Sequence, residues 1–145
     1  MPQTETVLFA GTHVEILIGG DQTAEHFSLL RITNPPGVST PPHRHMNEDE
    51  TVYVLSGRVQ VETDGATCDL AAGEAIHLPR GEAHRLWNAG PDEAQALVFC
   101  TPSGFEHFVR EAGEAVAAST QARAPDAAAM DRLVSLAPRF GIELL

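Results

Sequence analysis

The chain has 145 residues, with 20 acidic side chains against 9 basic ones and a formal charge of −11 when histidine is counted neutral. Every basic residue is arginine, which excludes a Schiff-base lysine, lysine-anchored pyridoxal chemistry and a phosphate loop of the lysine-bearing type. The acidic balance also argues against a nucleic-acid partner, whose phosphates demand clustered cations, and seven histidines remain as the main source of chemistry.

The length fits one domain. The segment Met1 to Leu8 has no basic patch followed by an apolar run. No apolar stretch approaches the roughly 18 residues of a membrane helix, so no membrane partner is expected. Cys68 and Cys100 lie in apolar, strand-like segments without a C-x-x-C spacing, and read as buried free thiols in a reducing compartment. A soluble cytoplasmic protein is the expectation.

In chain order, Val14, Ile16 and Ile18 alternate and stop at Gly19-Gly20, and Phe27 to Ile32 stops at Asn34-Pro35-Pro36-Gly37. Thr51 to Leu55 and Arg58 to Glu62 flank Ser56-Gly57, which predicts a hairpin with glycine at positive φ. Short runs follow at Ala66 to Leu70, Ala75 to Leu78, His84 to Asn88 and Ala94 to Cys100. Many short strands at a spacing of about 8–12 residues predict an all-β barrel or sandwich over residues 1–102.

Beyond Thr101-Pro102 the period changes, so residues 103–145 are expected to form a helical appendage packed on the same domain. Ser103 and Glu106 have the spacing of a capping box, with Phe105, Phe108, Val109 and Ala112 on one helical face. Ala115 to Ala124 reads as a linker. Asp126 caps a second helix whose stripe is Met130, Leu133, Val134 and Ala137, and Gly141 to Leu145 suits an edge strand.

Four residues have a spacing that makes sense for a metal. His43 and His45, two apart in a strand, point to the same face. Glu50 opens the next strand and supplies an oxygen; His84 opens another some forty residues on. Three imidazoles and one carboxylate suit one divalent ion such as Fe, Mn, Ni, Co or Zn. Glu48 and Asp49 compete with Glu50 for the carboxylate role, and Glu48 reads as a solvated loop residue or one at the pocket mouth. His77 either lines the pocket, as a proton donor or as support behind a ligand, or simply stacks in the sheet. Trp87 and Phe99 are cavity-wall or core aromatics, and Tyr53 has the parity opposite to Glu50.

These residues resemble the cupins. Gly37, His43, His45, Glu50 and Gly57 fit the first cupin motif, G-x5-H-x-H-x3or4-E-x6-G; Gly73, Pro79, Gly81, His84 and Asn88 fit the second, G-x5-P-x-G-x2-H-x3-N. All ten specified positions agree. The resemblance implies an antiparallel β-barrel of jelly-roll topology with C-terminal helices, and a metal held by His43, His45, Glu50 and His84. The C-terminal pattern, Ser103-Gly-Phe-Glu-x2-Phe and later Arg139-Phe-Gly-Ile-Glu, is similar to that of single-domain cupins labelled quercetin-dioxygenase-like.

The expected function is therefore a metal-dependent dioxygenase acting on a small phenolic or enolic, flavonol- or polyketide-like substrate, with Glu50 also accepting the substrate proton. The alternatives are an oxygen-independent isomerase, decarboxylase or lyase on the same metal, and a binding barrel without turnover. Thiol dioxygenases are disfavoured by the presence of Glu50, and the sulfoniopropionate lyases of the superfamily by Val52, where they carry tyrosine. Family resemblance also implies a homodimer formed through the N-terminal strands.

Overall fold

Residues 4–145 are described by a computed structural model in which side-chain alternation decides how each strand is buried. In β2 (Thr12–Ile18) residues 12, 14 and 16 are buried; in β5 (Asp49–Ser56) Glu50, Val52 and Val54; in β10 (Ala94–Thr101) Ala94, Ala96, Val98 and Cys100. This period of two gives each strand one inner face. The other strands are β1 (Glu5–Phe9), β3 (Ser28–Asn34), β4 (His43–His45), β6 (Arg58–Thr63), β7 (Ala66–Ala71), β8 (Ala75–Leu78), β9 (His84–Trp87), β11 (Glu114–Val116) and β12 (Ile142–Leu144). They form a seven-stranded sheet ordered β11-β1-β2-β3-β10-β5-β8 and a five-stranded sheet ordered β12-β4-β9-β6-β7, antiparallel at each pairing. The architecture is the jelly roll expected for an all-β chain.

The main core lies between the inner faces, where Val52 and Val54 of one sheet share a cluster with Val59 and Val61 of the other, all 4% exposed or less. Each such side chain contributes about 1.5–3 kcal/mol by leaving water. Helix α1 (Phe105–Ala112) and α2 (Ala127–Leu136) close one side through a second cluster of Phe108, Ala112, Leu133, Ala137 and Ile142. No helix among the described residues is long and apolar enough to cross a membrane.

Several local expectations change. β5 pairs with β10 and β8, whereas β6 pairs with β9 and β7, so Ser56-Gly57 is not a hairpin but a corner where the chain changes sheets. Glycine is still required there: φ is +74°, and an added Cβ would lie 2.7 Å from the Glu93 carbonyl oxygen. The hairpin lies one strand later, at Asp64-Gly65, where φ is +49° and +75° and Thr63 faces Ala66, as a two-residue turn with both residues at positive φ demands.

The C-terminal segment is not purely helical. β11, within the supposed linker, pairs with β1, and β12 pairs with β4 at the edge of the other sheet, where an edge strand was expected. β11 thus takes the outer edge of the seven-stranded sheet, and β1 lies between it and β2. Cys68 is exposed, since β7 is the last strand of its sheet and of its residues only Leu70 is buried; Cys100 is buried as expected.

The start of α1 also departs from the capping box. Gly104, at φ +143°, is the residue before the helix, and Ser103 Oγ donates to Glu25 instead (2.6 Å). Glu106 is fully buried and accepts from the backbone N–H groups of Gly20 (2.9 Å) and Gly104 (2.8 Å). Asp126 caps α2 as predicted, accepting from the Ala129 N–H at 2.8 Å. On its stripe Leu133 and Ala137 are buried, while Val134 is 52% exposed.

Candidate metal centre

Three strands from two sheets bring His43, His45, Glu50 and His84 together. β4 presents His43 and His45 on one face by the two-residue period. β9 places His84 directly opposite His43 in register. Glu50 enters from the inner face of β5 in the other sheet. Their nearest ligand atoms all lie within 4.8 Å of one another. Nε2 of His45 is 3.1 Å and Nε2 of His84 is 3.3 Å from the same oxygen, Glu50 Oε2. His45, His84 and Glu50 are buried, and His43 is half-buried.

The outward ring nitrogens explain the inward ones. Nδ1 of His43 is 2.7 Å from the Pro41 carbonyl, Nδ1 of His45 is 2.7 Å from Glu48 Oε1, and Nδ1 of His84 is 3.3 Å from the Glu82 carbonyl. Carbonyls and carboxylates only accept, so each Nδ1 carries the hydrogen and each Nε2 turns to the cluster as a ligand atom.

Charge and burial compete at the centre. Burial pushes the Glu50 carboxyl up, but the surrounding histidines, His45 foremost, hold it down at about 2. Burial and then the neighbouring His84 lower His43 to about 4. Burial also works against a charge on His45, yet Glu50 and Glu48 outweigh it and its pKa is raised. Among the described residues, Glu50 Oε2 and His84 Nε2 are buried without a hydrogen-bond partner. Leaving such atoms unpaired costs about 1–3 kcal/mol each. One divalent ion among three imidazole nitrogens and this carboxylate would satisfy both, and the donor set suits a transition ion.

His43, His45 and Glu50 of the cluster line a cavity of about 110 Å³ whose walls are otherwise mostly apolar. Ile32, Val52, Val59, Leu86 and Val98 line it from the two sheets; Phe9, Phe105, Phe108, Leu133 and Ile142 close it from the N-terminal strand and the C-terminal segment. Phe105 sets its ring edge-on against His45 at 5.1 Å between centroids. Asn34 also lines the cavity, and its Oδ1 is buried without a partner.

The other sequence candidates separate clearly. His77 is exposed on β8 with Nδ1 2.9 Å from Thr51 Oγ1, because it pairs with Thr51 and so shares the parity opposite to Glu50; it is outside the cavity. Tyr53 faces outward as its parity predicted. Phe99 packs on Phe27 and Trp87 lies under the Arg85 guanidinium, so neither walls the cavity. Glu48, expected in solvent or at the pocket mouth, is only 2% exposed and is bonded to His45.

Comparison with known proteins bears on this arrangement. Residues 30–100, which include all four clustered residues, match the family described as Cupin domain. The solved polyketide cyclase RemF of Streptomyces resistomycificus aligns with a TM-score of 0.59 and 31% identity, over 70% of this chain and 74% of RemF. The chain is a cupin. The polyketide synthase CurC of Streptomyces cyaneus is 36% identical to this cupin over 67 residues, 46% of the chain and 44% of CurC. Quercetin 2,3-dioxygenase of Bacillus subtilis is 26% identical over 80 residues, 55% of the chain and 24% of that enzyme. The cupin thus matches less than half the length of these two curated relatives.

Proposed function

We propose that this cupin is a metal-dependent enzyme acting on a small phenolic or enolic, polyketide-like molecule. The observation that carries the reading is the pair of unpartnered buried atoms, Glu50 Oε2 and His84 Nε2, in a cluster whose His43, His45 and Glu50 line an otherwise mostly apolar cavity. An aromatic or polyketide carbon skeleton suits walls of Phe, Val, Leu and Ile, and Asn34 Oδ1 offers an acceptor to a substrate hydroxyl. When bound, a divalent ion supplies Lewis-acid stabilisation of an enolate or phenolate oxygen. His43, His45 and His84 orient their Nε2 atoms toward that position through the acceptors on Nδ1. Glu50 stays ionised at neutral pH, and its Oε2 is the atom that would hold the ion or take a substrate proton. Phe105 and the C-terminal segment give the cavity an apolar wall.

Oxygen-independent ring closure or isomerisation is the reaction class favoured, because the polyketide cyclase RemF shares more of the chain than the dioxygenase does. Dioxygenation is the second reading and is supported by the quercetin dioxygenase match. Protein loaded in turn with Fe(II), Mn, Co, Ni and Zn would be incubated with phenolic and polyketide substrates, with and without oxygen. Turnover under strict anaerobiosis, abolished in His84→Ala, supports the first class; turnover coupled to oxygen uptake supports the second. A metal-loaded protein inert to the whole panel would refute the enzymatic reading and leave a binding barrel.

A further inference from the structure

Glu48 is the one carboxylate at the centre that is not among the converging ligand atoms. It lies in the turn between β4 and β5, is 2% exposed, and places Oε1 2.7 Å from Nδ1 of His45. The corresponding nitrogens of His43 and His84 meet only neutral backbone carbonyls. His45 is therefore held on two sides, by Glu48 at its outer edge and by the Phe105 ring at 5.1 Å. The other Glu48 oxygen is turned to Gly104, where an added Cβ would lie 3.6 Å from it.

We propose that Glu48 is a positioning residue for the metal centre: it fixes His45 as the Nδ1–H tautomer, aims Nε2 at the ion and makes that nitrogen a stronger donor. This rests on the metal-centre reading above. A carboxylate behind a ligating imidazole adds negative charge to the ring through the shared hydrogen. A buried carboxylate without a compensating partner would be costly, and His45 with the ion behind it supplies that partner.

The test compares wild type, Glu48→Gln and Glu48→Ala for zinc affinity, by competition with a chromophoric chelator, with circular dichroism verifying the fold of each metal-free protein. Loss of such a partner costs about 10–100-fold in metal affinity, the loss expected for Glu48→Ala. Glu48→Gln, whose amide oxygen can still accept from Nδ1–H, should lose less. In zinc-loaded protein with ¹⁵N-labelled histidine, wild-type His45 should show a protected Nδ1–H and a zinc-bound Nε2, and Glu48→Ala should lose the protection. Folded Glu48→Ala binding zinc within about threefold of wild type would overturn the positioning role alone. So would wild-type His45 bound through Nδ1, a result that does not depend on either variant folding. Wild-type protein that takes up neither zinc nor any other divalent ion would overturn the metal-centre reading together with this one.

Discussion

Removing the metal should lower the melting temperature by an amount that can be worked out. The ion binds donors that converge only in the folded chain, so at a free concentration about 1,000 times its dissociation constant it adds about 4.1 kcal/mol to folding stability. Unfolding entropy of about 2.1 cal/mol/K per residue gives about 0.3 kcal/mol/K for the 145 residues, so chelation should lower the midpoint by about 13 °C. The gain should also depend on pH. His43, held at about 4, and Glu50, held at about 2, are already in their ligand forms near neutrality. The proton on His45 is different. Its folded-state pKa is raised, so the stability it lends the metal-free protein is fully present below the ordinary imidazole value of about 6.5 and is lost as pH rises through the raised value. The ion must displace that proton, and the metal-induced gain should therefore climb as pH rises from the ordinary imidazole value of about 6.5 through the raised one. Scanning calorimetry on chelated and reloaded protein across that range measures both effects. Midpoints that coincide within a degree for every divalent ion tried, or a full gain retained by His84→Ala, would refute the reasoning.

Three further outcomes test the scaffold around the site. Glu106→Ala leaves the Gly20 and Gly104 N–H groups without their acceptor and should cost about 2–5 kcal/mol in urea unfolding. Burial raises the Glu106 carboxyl but those backbone donors lower it overall, so its stabilisation is present at neutral pH and lost as pH falls below about 4.5; Glu106→Gln should flatten that acid limb. Gly57→Ala meets the Glu93 carbonyl at 2.7 Å as well as a positive φ, whereas Gly65→Ala has only the φ penalty of about 1–2 kcal/mol, so the first should be clearly the more destabilising by the same assay. Phe105→Ala opens the cavity beside His45 and should cost about 3 kcal/mol in thermal unfolding while binding bulkier phenols more tightly by calorimetry.

The inner face of the jelly roll was legible because a strand repeats every two residues: once Glu50 is placed inward, Val52 and Val54 follow, and Thr51, Tyr53 and Leu55 turn out. The same parity made His43 and His45 a pair. Strand pairing was not legible from the same pattern. Ser56-Gly57 has the local chemistry of a tight turn, and only long-range pairing with β10 and β9 decides that it joins two sheets. Asp64-Gly65 was the stronger hairpin signal, and the residues on either side of it pair in register. His77 stood in an apolar context, but its register partner Thr51 assigns it to the outer face.

Glu48 shows why a turn residue beside a ligand pair can go unread. Periodicity carries no information through the three residues between β4 and β5, so an acid there looks like one of many on a chain of charge −11. What buries it comes from elsewhere. β12 pairs with β4 so that Ile142 faces His45, and the turn into α1 brings Gly104 toward Glu48 and Phe105 against His45. The segment that reads as a helical appendage thus supplies the outer wall of the candidate metal centre. That wall excludes the water that would otherwise solvate Glu48, and in so dry a site its hydrogen bond to His45 is strengthened. The segment from residue 103 to 145 and the histidine strands therefore pack as one structural unit, and truncation before Ser103 should expose the clustered His45 and Glu50 as well as shorten the fold.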